Sequence, residues 1–288
     1  MKRTISILLA LCLMAGLLAT PVFAAGEDIS AVFTDPNFLA GIYDALGKQP
    51  GEPIAAEECA EVKVLRLHDR GIKSLAGIEY FTGLKELDCS NNWLTTLDTT
   101  QNERLELLYC DDNELTALNL AKNTRLKYLD VGSNQLTALD VSLLKNLEFL
   151  SCGYNQLTTL DLTQNKGLIR VECENNQLAA LDVSYSMILE RLYCQNNQLT
   201  ALDLRNNPRL TIVDCSKNNM SSAFKVKGAF SLQTAQVLSG SGQFKFYPQN
   251  DPGSIAKFPG YLFHAAPYYM FAFFLYPLRL ILTSMAKA

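Results

Sequence analysis

The sequence predicts an α/β-type solenoid of stacked short coils with one parallel β-sheet on its concave face. Three observations predict it. First, Leu84-Lys-Glu-Leu87-Asp-Cys89-Ser-Asn-Asn92-Trp-Leu94-Thr-Thr-Leu97 recurs as Leu105-Glu-Leu-Leu108-Tyr-Cys110-Asp-Asp-Asn113-Glu-Leu115-Thr-Ala-Leu118, and the frame restarts at Leu126, Leu147, Leu168, Leu189 and Leu210, 21 residues on each time. Second, Asn92, Asn113, Asn134, Asn155, Asn176, Asn197 and Asn218 form an unbroken column. Third, Cys89, Cys110, Cys152, Cys173, Cys194 and Cys215 form another, with Val131 in its one gap. An earlier unit, 62–83, carries Leu65, Leu67, Ile72, Leu75 and Ile78 in the same roles and brings the count to eight.

The spacing L-x-x-L-x-C-x-x-N-x-L is the leucine-rich repeat signature, and each position has a physical reason. Residues around L-x-C form a short strand whose alternate side chains face inward. The chain then turns, and the Asn amide satisfies backbone groups that stacking would otherwise orphan. Twenty-one residues leave no room for a long convex helix, so the return path is expected as short extended or 3₁₀ segments. Each unit buries its apolar edge only against its neighbours, which makes a horseshoe of stacked coils.

The ends follow from local signals. Lys2 and Arg3, the apolar run from Ile5 to Leu18, and Val22-Phe23-Ala24 read as an export signal over 1–24. A helical N-terminal cap is expected over 25–61. Asp35 is its N-cap, Pro36 stands at the first helical position, Phe38, Leu39, Ile42 and Leu46 share a face, and Gly47 stops the helix. A second short helix is expected around Ala55 to Glu61. The repeats run over 62–223, and 224–254 is expected to cap the last coil as a hairpin. The tail, 255–288, is crowded with Phe, Tyr and Leu, interrupted by Pro267, Pro277 and Arg279. Three readings stand for it: a membrane-associated helix, an apolar segment packed on the solenoid end, and a truncated remnant of a longer protein.

The 21-residue unit with its inward Cys resembles internalin J-type repeats of exported leucine-rich repeat proteins of Gram-positive bacteria. Gly71-Ile-Lys-Ser-Leu-Ala-Gly-Ile-Glu-Tyr-Phe-Thr-Gly-Leu84 resembles the opening repeat of that group, and the Asp35-Pro-Asn-Phe38 helix its cap. The resemblance covers about Asp35 to Ala223. It implies a secreted or cell-surface binding module, some members being adhesins. The chain contains no LPxTG-type wall-sorting motif. Relatives of this cap often carry a calcium loop, but Lys48-Gln-Pro-Gly-Glu-Pro53 lacks the acidic spacing such a loop needs.

Function classes are narrowed by composition. With 25 Lys+Arg against 29 Asp+Glu, no clustered basic face points to nucleic acid. The two histidines, His68 and His264, lie far apart, and no acid, base and nucleophile converge, so no enzyme is expected. No cofactor is expected. Cysteines on adjacent coils stand about 4.8 Å apart and parallel, poorly placed for disulfides or tetrahedral zinc, and read as buried small apolar groups. One acid per coil in the series Asp98, Asp140, Asp161, Asp182 and Asp203 is too few for calcium and reads as turn capping.

Function is therefore sought on the concave face. Its outward columns are Val64, Glu86, Leu107, Tyr128, Phe149, Arg170, Arg191, Ile212; then Arg66, Asp88, Tyr109, Asp130, Ser151, Glu172, Tyr193, Asp214; then His68, Ser90, Asp111, Gly132, Gly153, Glu174, Gln195, Ser216. Leu107, Tyr109, Tyr128 and Phe149 form an apolar-aromatic patch, with Gly132 and Gly153 as open floor and Arg170, Glu172, Glu174 and Arg191 at its flank; Tyr193 stands beyond. The patch is read as a binding surface for a protein on a host or bacterial surface. Two alternatives accompany it: a glycan stacked on Tyr109, Tyr128 and Tyr193, and a scaffold for a membrane-active tail. Stacking along the sheet as a purely structural device is the competing account of the aromatics.

Overall fold

A computed structural model describes residues 26–221, 225–228 and 243–245. The chain divides into two compact units, Met1–Ser254 and Ile255–Ala288, and the second lies wholly outside the described residues, as does the export segment. Most of 224–254 lies outside them too.

The cap comes first. Helix α1, Pro36–Leu46, starts where Asp35 accepts the N–H groups of Asn37 and Phe38, and ends at Gly47, whose φ of 67° only glycine adopts without strain. The second carboxylate oxygen of Asp35 accepts from Lys73 N at 2.8 Å and Ser74 N at 3.3 Å, so one residue both starts the helix and ties it to the first coil. Helix α2, Ala56–Glu61, is opened by the Glu58 carboxylate, which takes the Ala55 N–H at 2.9 Å. Phe33, Phe38 and Phe81 pack edge to face or tilted, at 5.7 to 6.5 Å between centroids, and join cap to solenoid.

Strands β1 to β7 (Val64–Arg66, Glu86–Asp88, Leu107–Tyr109, Tyr128–Asp130, Phe149–Ser151, Arg170–Glu172, Arg191–Tyr193), β9 (Ile212–Asp214) and β11 (Gln243–Lys245) form one parallel sheet in that order. Every pairing is in register, Leu107 against Tyr128 and Tyr128 against Phe149, so equivalent residues stack in columns. Inward leucines from both halves of each coil are almost wholly buried and fill a single core. The return side is built of turns and short segments, a 3₁₀ helix at Ile78–Tyr80 among them, with no α-helix among the described residues. Each turn opens on an Asx cap: Asp98, Asn119, Asp140, Asp161, Asp182 and Asp203 accept the N–H two residues on, at 2.9 to 3.2 Å.

The region after the repeats differs from the hairpin expected. Val226–Lys227 (β10) pairs in parallel with Leu202–Asp203 (β8) on the return side, while β11 pairs in parallel with β9 on the concave side. The two described strands thus each add a parallel rung to a ladder of the solenoid and do not pair with one another. Parallel neighbours already present their edges, and continuing the ladder satisfies them better than an antiparallel hairpin would. Among the described residues no helix is long and apolar enough to cross a membrane.

The Asn column does the backbone accounting. Asn113 Oδ1 accepts from Leu94 N at 3.0 Å, and its Nδ2 faces the carbonyls of Cys89, Cys110 and Asp111 at 3.0 to 3.2 Å. Asn134 repeats this with Leu115 N, Cys110 O, Val131 O and Gly132 O. Asn218 closes the column with Leu199 N, Cys194 O, Cys215 O and Ser216 O. Each residue just before an Asn of the column takes the left-handed conformation, from Asn91 to Tyr154 and Lys217, and so does Asp69, which precedes Arg70 at the same place in the first coil. Asn and Asp tolerate that region; Tyr154 occupies it at a cost.

A second column was not singled out in the sequence. Asn102 Nδ2 donates to Ile78 O and Phe81 O, Asn123 to Thr99 O and Asn102 O, Asn165 to Val141 O and Leu144 O, and Asn207 to Val183 O and Ser186 O. The repeat T-x-x-N or D-x-x-x-N was its signal, but Leu144 and Ser186 interrupt it. In one coil the Asn oxygen is also served: Thr99 Oγ1 lies 2.9 Å from Asn123 Oδ1. The oxygens of Asn165 and Asn207 are buried without a partner.

Two outcomes follow from these ladders. Asn134→Ala strips partners from a buried N–H and two interior carbonyls and is expected to cost at least about 2 kcal/mol in urea unfolding, whereas Asn146→Ala, exposed and holding one bond, stays within about 0.5. Val183 stands to Asn207 as Thr99 stands to Asn123, so Val183→Thr is expected to stabilise by about 1 kcal/mol. The same change at Val171, which faces no orphaned oxygen, is expected to cost about 1–3 kcal/mol; equal losses at both sites would contradict the assignment.

Candidate functional site

The concave columns stand where strand alternation puts them, with Leu65, Leu87, Leu108, Leu129, Leu150, Val171, Leu192 and Val213 buried between them. The rigid ladder sets the spacing of the outward side chains at about 4.8 Å per coil. At that spacing flat rings on adjacent rungs meet face to face. Tyr128 and Phe149 stack with centroids 4.1 Å apart and planes 2° from parallel, and Tyr109 covers the other face of Tyr128 at 4.5 Å. Arg170 extends the series: its guanidinium lies 5.1 Å from the Phe149 ring and 5.5 Å from that of Tyr193, held by Glu172, whose Oε1 accepts from Arg170 Nε at 2.7 Å. Tyr109, Tyr128, Phe149, Arg170 and Tyr193 therefore form one continuous stack over five coils, each aromatic contact contributing about 0.5–1.5 kcal/mol.

This arrangement alters two expectations. The rings are half-buried rather than freely exposed, because each covers its neighbour. Both faces of Tyr128 are occupied, so that ring has no face to offer a sugar. Leu107 lies beside the stack and is also half-buried; Arg191 stands at the edge, exposed. Nor are the glycines an open floor. Both are buried, and a Cβ at Gly153 would meet the Glu174 carboxylate at 2.8 to 2.9 Å; one at Gly132 would lie 3.2 Å from Asp130 Oδ1. The glycines give the acids somewhere to lie, a consequence of long side chains folding into space that small ones leave.

The face is acidic. Glu86, Asp88, Asp111, Asp130, Glu172, Glu174 and Asp214 stand in the three columns against Arg66, Arg170 and Arg191. Arg66 pairs with Glu86 at 3.2 Å and Arg170 with Glu172, and His68 Nδ1 lies 3.3 Å from Asp88 Oδ2. Burial lifts the Asp111 carboxyl far above the usual range, and Asp130, Asp112 and Asp88 lift it further. Burial also raises Asp130, opposed by bonds from Gly132 N and Ser151 and aided by Glu172 and Asp112. Glu174 is pushed up to about 7 by burial, then by Glu172 and Asp130, with Arg170 pulling the other way.

The seven cysteines among the described residues are buried with free thiols: Cys89, Cys110, Cys152, Cys173, Cys194 and Cys215 in the core column and Cys59 in the cap. Burial pushes Cys59 up to about 12 and raises the column thiols as well. They are neutral and inert at physiological pH. Among the described residues no group of three or more His, Cys, Asp or Glu is placed to hold a metal ion. The most exposed large apolar side chains lie elsewhere, Trp93, Tyr154 and Met187 among them, in turns along the rims.

Raised carboxyl values are statements about stability. The folded chain holds protons on Asp111, Asp130 and Glu174 at a pH where the unfolded chain has lost them. Stability therefore falls as pH rises from about 4 through the folded values, near 7 for Glu174. The melting temperature is expected to drop between pH 5 and pH 8, and Asp111→Asn is expected to raise it at pH 8 more than at pH 5. A pH-independent effect of that substitution would refute the account.

No family model matches the chain. A 70-residue stretch is 39% identical to internalin J of Listeria monocytogenes serotype 4b (strain F2365), covering 24% of this chain and 8% of that protein. The solved functional domain of InlJ from Listeria monocytogenes, described as including a cysteine ladder, superposes with a TM-score of 0.62 at 34% identity, over 73% of this chain and 51% of that one. Internalin C2 of the same species shares the fold, with a TM-score of 0.66 at 24% identity over 72% of this chain and 94% of that one. The chain thus spans about half of the InlJ domain and a small part of internalin J. The column of core cysteines, the 21-residue register and the parallel sheet identify the repeats of this chain as internalin-like leucine-rich repeats.

Proposed function

We propose that the chain is an exported, non-enzymatic module that binds a protein on a host or bacterial surface through its concave face, in the manner of an adhesin. The observation that carries this reading is the five-membered stack, which presents aromatic edges and a fixed guanidinium on a sheet that hydrogen bonds hold rigid. Rigid aromatic anchors ringed by charge are what protein interfaces use, since little side-chain freedom is lost on binding. The leucine-rich repeat fold is itself typical of protein-interaction modules. The leader-like segment 1–24 supports export. In this reading 25–61 is the N-terminal cap, 62–223 the binding solenoid, 224–254 a C-terminal cap and 255–288 an apolar, membrane-associated tail.

A glycan ligand is less well supported, because Tyr128 has both faces covered and the stacking left to Tyr109 and Tyr193 is one-sided.

The test is a pull-down from host and bacterial surface extracts with the chain and two variants, all checked by circular dichroism. Tyr109→Ala/Tyr128→Ala/Phe149→Ala removes the stack; Leu143→Ala/Tyr185→Ala removes apolar surface from the rim. A protein retained by the parent and the rim variant but lost at least tenfold by the stack variant is the expected result. Equal retention by all three would make the aromatics structural.

A further inference from the structure

We propose that Glu174 is a proton-operated latch on the concave floor: as the neutral acid it lies over Gly153, and on losing its proton it swings out to solvent and uncovers that backbone. The latch is a property of this one side chain and does not depend on what the face binds.

Glu174 stands apart from the carboxylates around it. Asp88 holds the Ser90 hydroxyl at 2.7 Å, Asp130 the Gly132 N–H at 3.1 Å, Glu172 the Arg170 guanidinium at 2.7 Å and Asp214 the Ser216 hydroxyl at 2.6 Å. Glu174 Oε2 is buried and meets no donor among the described residues. Its carboxyl fills the space that a side chain at 153 would take: a Cβ there would lie 2.8 Å from Glu174 Cδ and 2.9 and 3.2 Å from its oxygens. A neutral acid can rest in that place. A carboxylate taken from water without donors costs far more, so ionisation drives the side chain out.

The fold leaves it a way out. The backbones of the two coils are tied, with Tyr154 N donating to Glu174 O at 2.9 Å, so the movement falls to the side chain, which changes rotamer. Glu174 as a whole is only half-buried, and its exit lies toward the open concave side. The titratable and charged groups facing it are Glu172 and Arg170 of its own coil, Asp130 two coils before, and the core thiols of Cys152, Cys173 and Cys194. Gly153 and Ser151 of the preceding coil and Gln195 of the following one bring no charge. Burial first, then Glu172 and Asp130, lift the Glu174 carboxyl to about 7 against the pull of Arg170. The latch is therefore closed at acid pH and released as pH rises through neutrality. The concave face has two forms, one closed at Gly153 and one open there with an added negative charge, and a partner touching the floor distinguishes them.

NMR of the full chain, isotope-labelled at the glutamate carboxyls and the backbone amides, tests the latch between pH 5 and pH 9, with Glu174→Gln to assign the carboxyl signal. Circular dichroism checks that each protein is folded across the range. Expected in the parent are a Glu174 carboxyl that titrates near neutrality and a Gly153 amide that shifts with the same midpoint. A nuclear Overhauser contact between Glu174 Hγ and Gly153 Hα is expected at pH 5 and not at pH 9. Gly153 does not take a positive φ, so alanine suits its backbone, and the added methyl occupies the place of the carboxyl. In Gly153→Ala the Glu174 midpoint is expected to fall by about two pH units, toward the ordinary glutamate range. In Glu174→Gln the Gly153 amide is expected to lose its shift near neutrality. A contact absent at pH 5 or retained at pH 9, or a midpoint unmoved by Gly153→Ala, would overturn the proposal; should that variant not fold, the contact in the parent decides alone.

Discussion

Everything in this structure depends on a side-chain amide standing in for a missing strand. Where each coil turns from the concave sheet toward its return, backbone bonds between coils continue on either side, but one N–H per coil, that of Leu94 and its equivalents, finds no carbonyl although stacking removes it from water. The Asn column closes that deficit by accepting one N–H from the preceding coil and donating across to carbonyls of both coils. An unsatisfied buried group costs about 1–3 kcal/mol, and a column of seven coils would otherwise accumulate that cost at every step. The left-handed residue before each Asn belongs to the turn itself, since Asp69 adopts it before Arg70 as well.

Fixed coil spacing then dictates the surface chemistry. Side chains in register at about 4.8 Å stack if they are flat and repel if they are charged. Both outcomes occur on one face: the rings of Tyr128 and Phe149 meet in parallel, while Asp111, Asp130 and Glu174 crowd one another and hold protons beyond the usual carboxylate range. Stack and acids are two responses to the same ladder. Together they make a face on which stacked rings and crowded acids stand side by side.

Much of this was legible in the sequence. Periodicity placed the strands, the outward columns and the Asn and Cys positions, because a solenoid has one neighbour rule repeated along its length. What periodicity did not give was the conformation of long side chains. Gly132 and Gly153 looked like open floor because a sequence shows an absent side chain but not the neighbour that leans into the space, here Glu174. The second Asn column was hidden by Leu144 and Ser186, which break its period while leaving the hydrogen bonds of Asn123, Asn165 and Asn207 intact. The segment after the last full repeat read as a hairpin from its alternation, but alternation does not distinguish parallel from antiparallel pairing, and the open edge of β9 decides for parallel.

Amide hydrogen exchange followed by NMR tests the central claim most directly. The N–H groups of Leu94, Leu115, Leu136, Leu157, Leu178 and Leu199 lie outside any strand and donate only to Asn side chains. If the Asn column holds the solenoid together, these six amides exchange as slowly as those of the central strands. Exchange at the rate of the neighbouring turn amides would show that the stack is held by its leucine core alone.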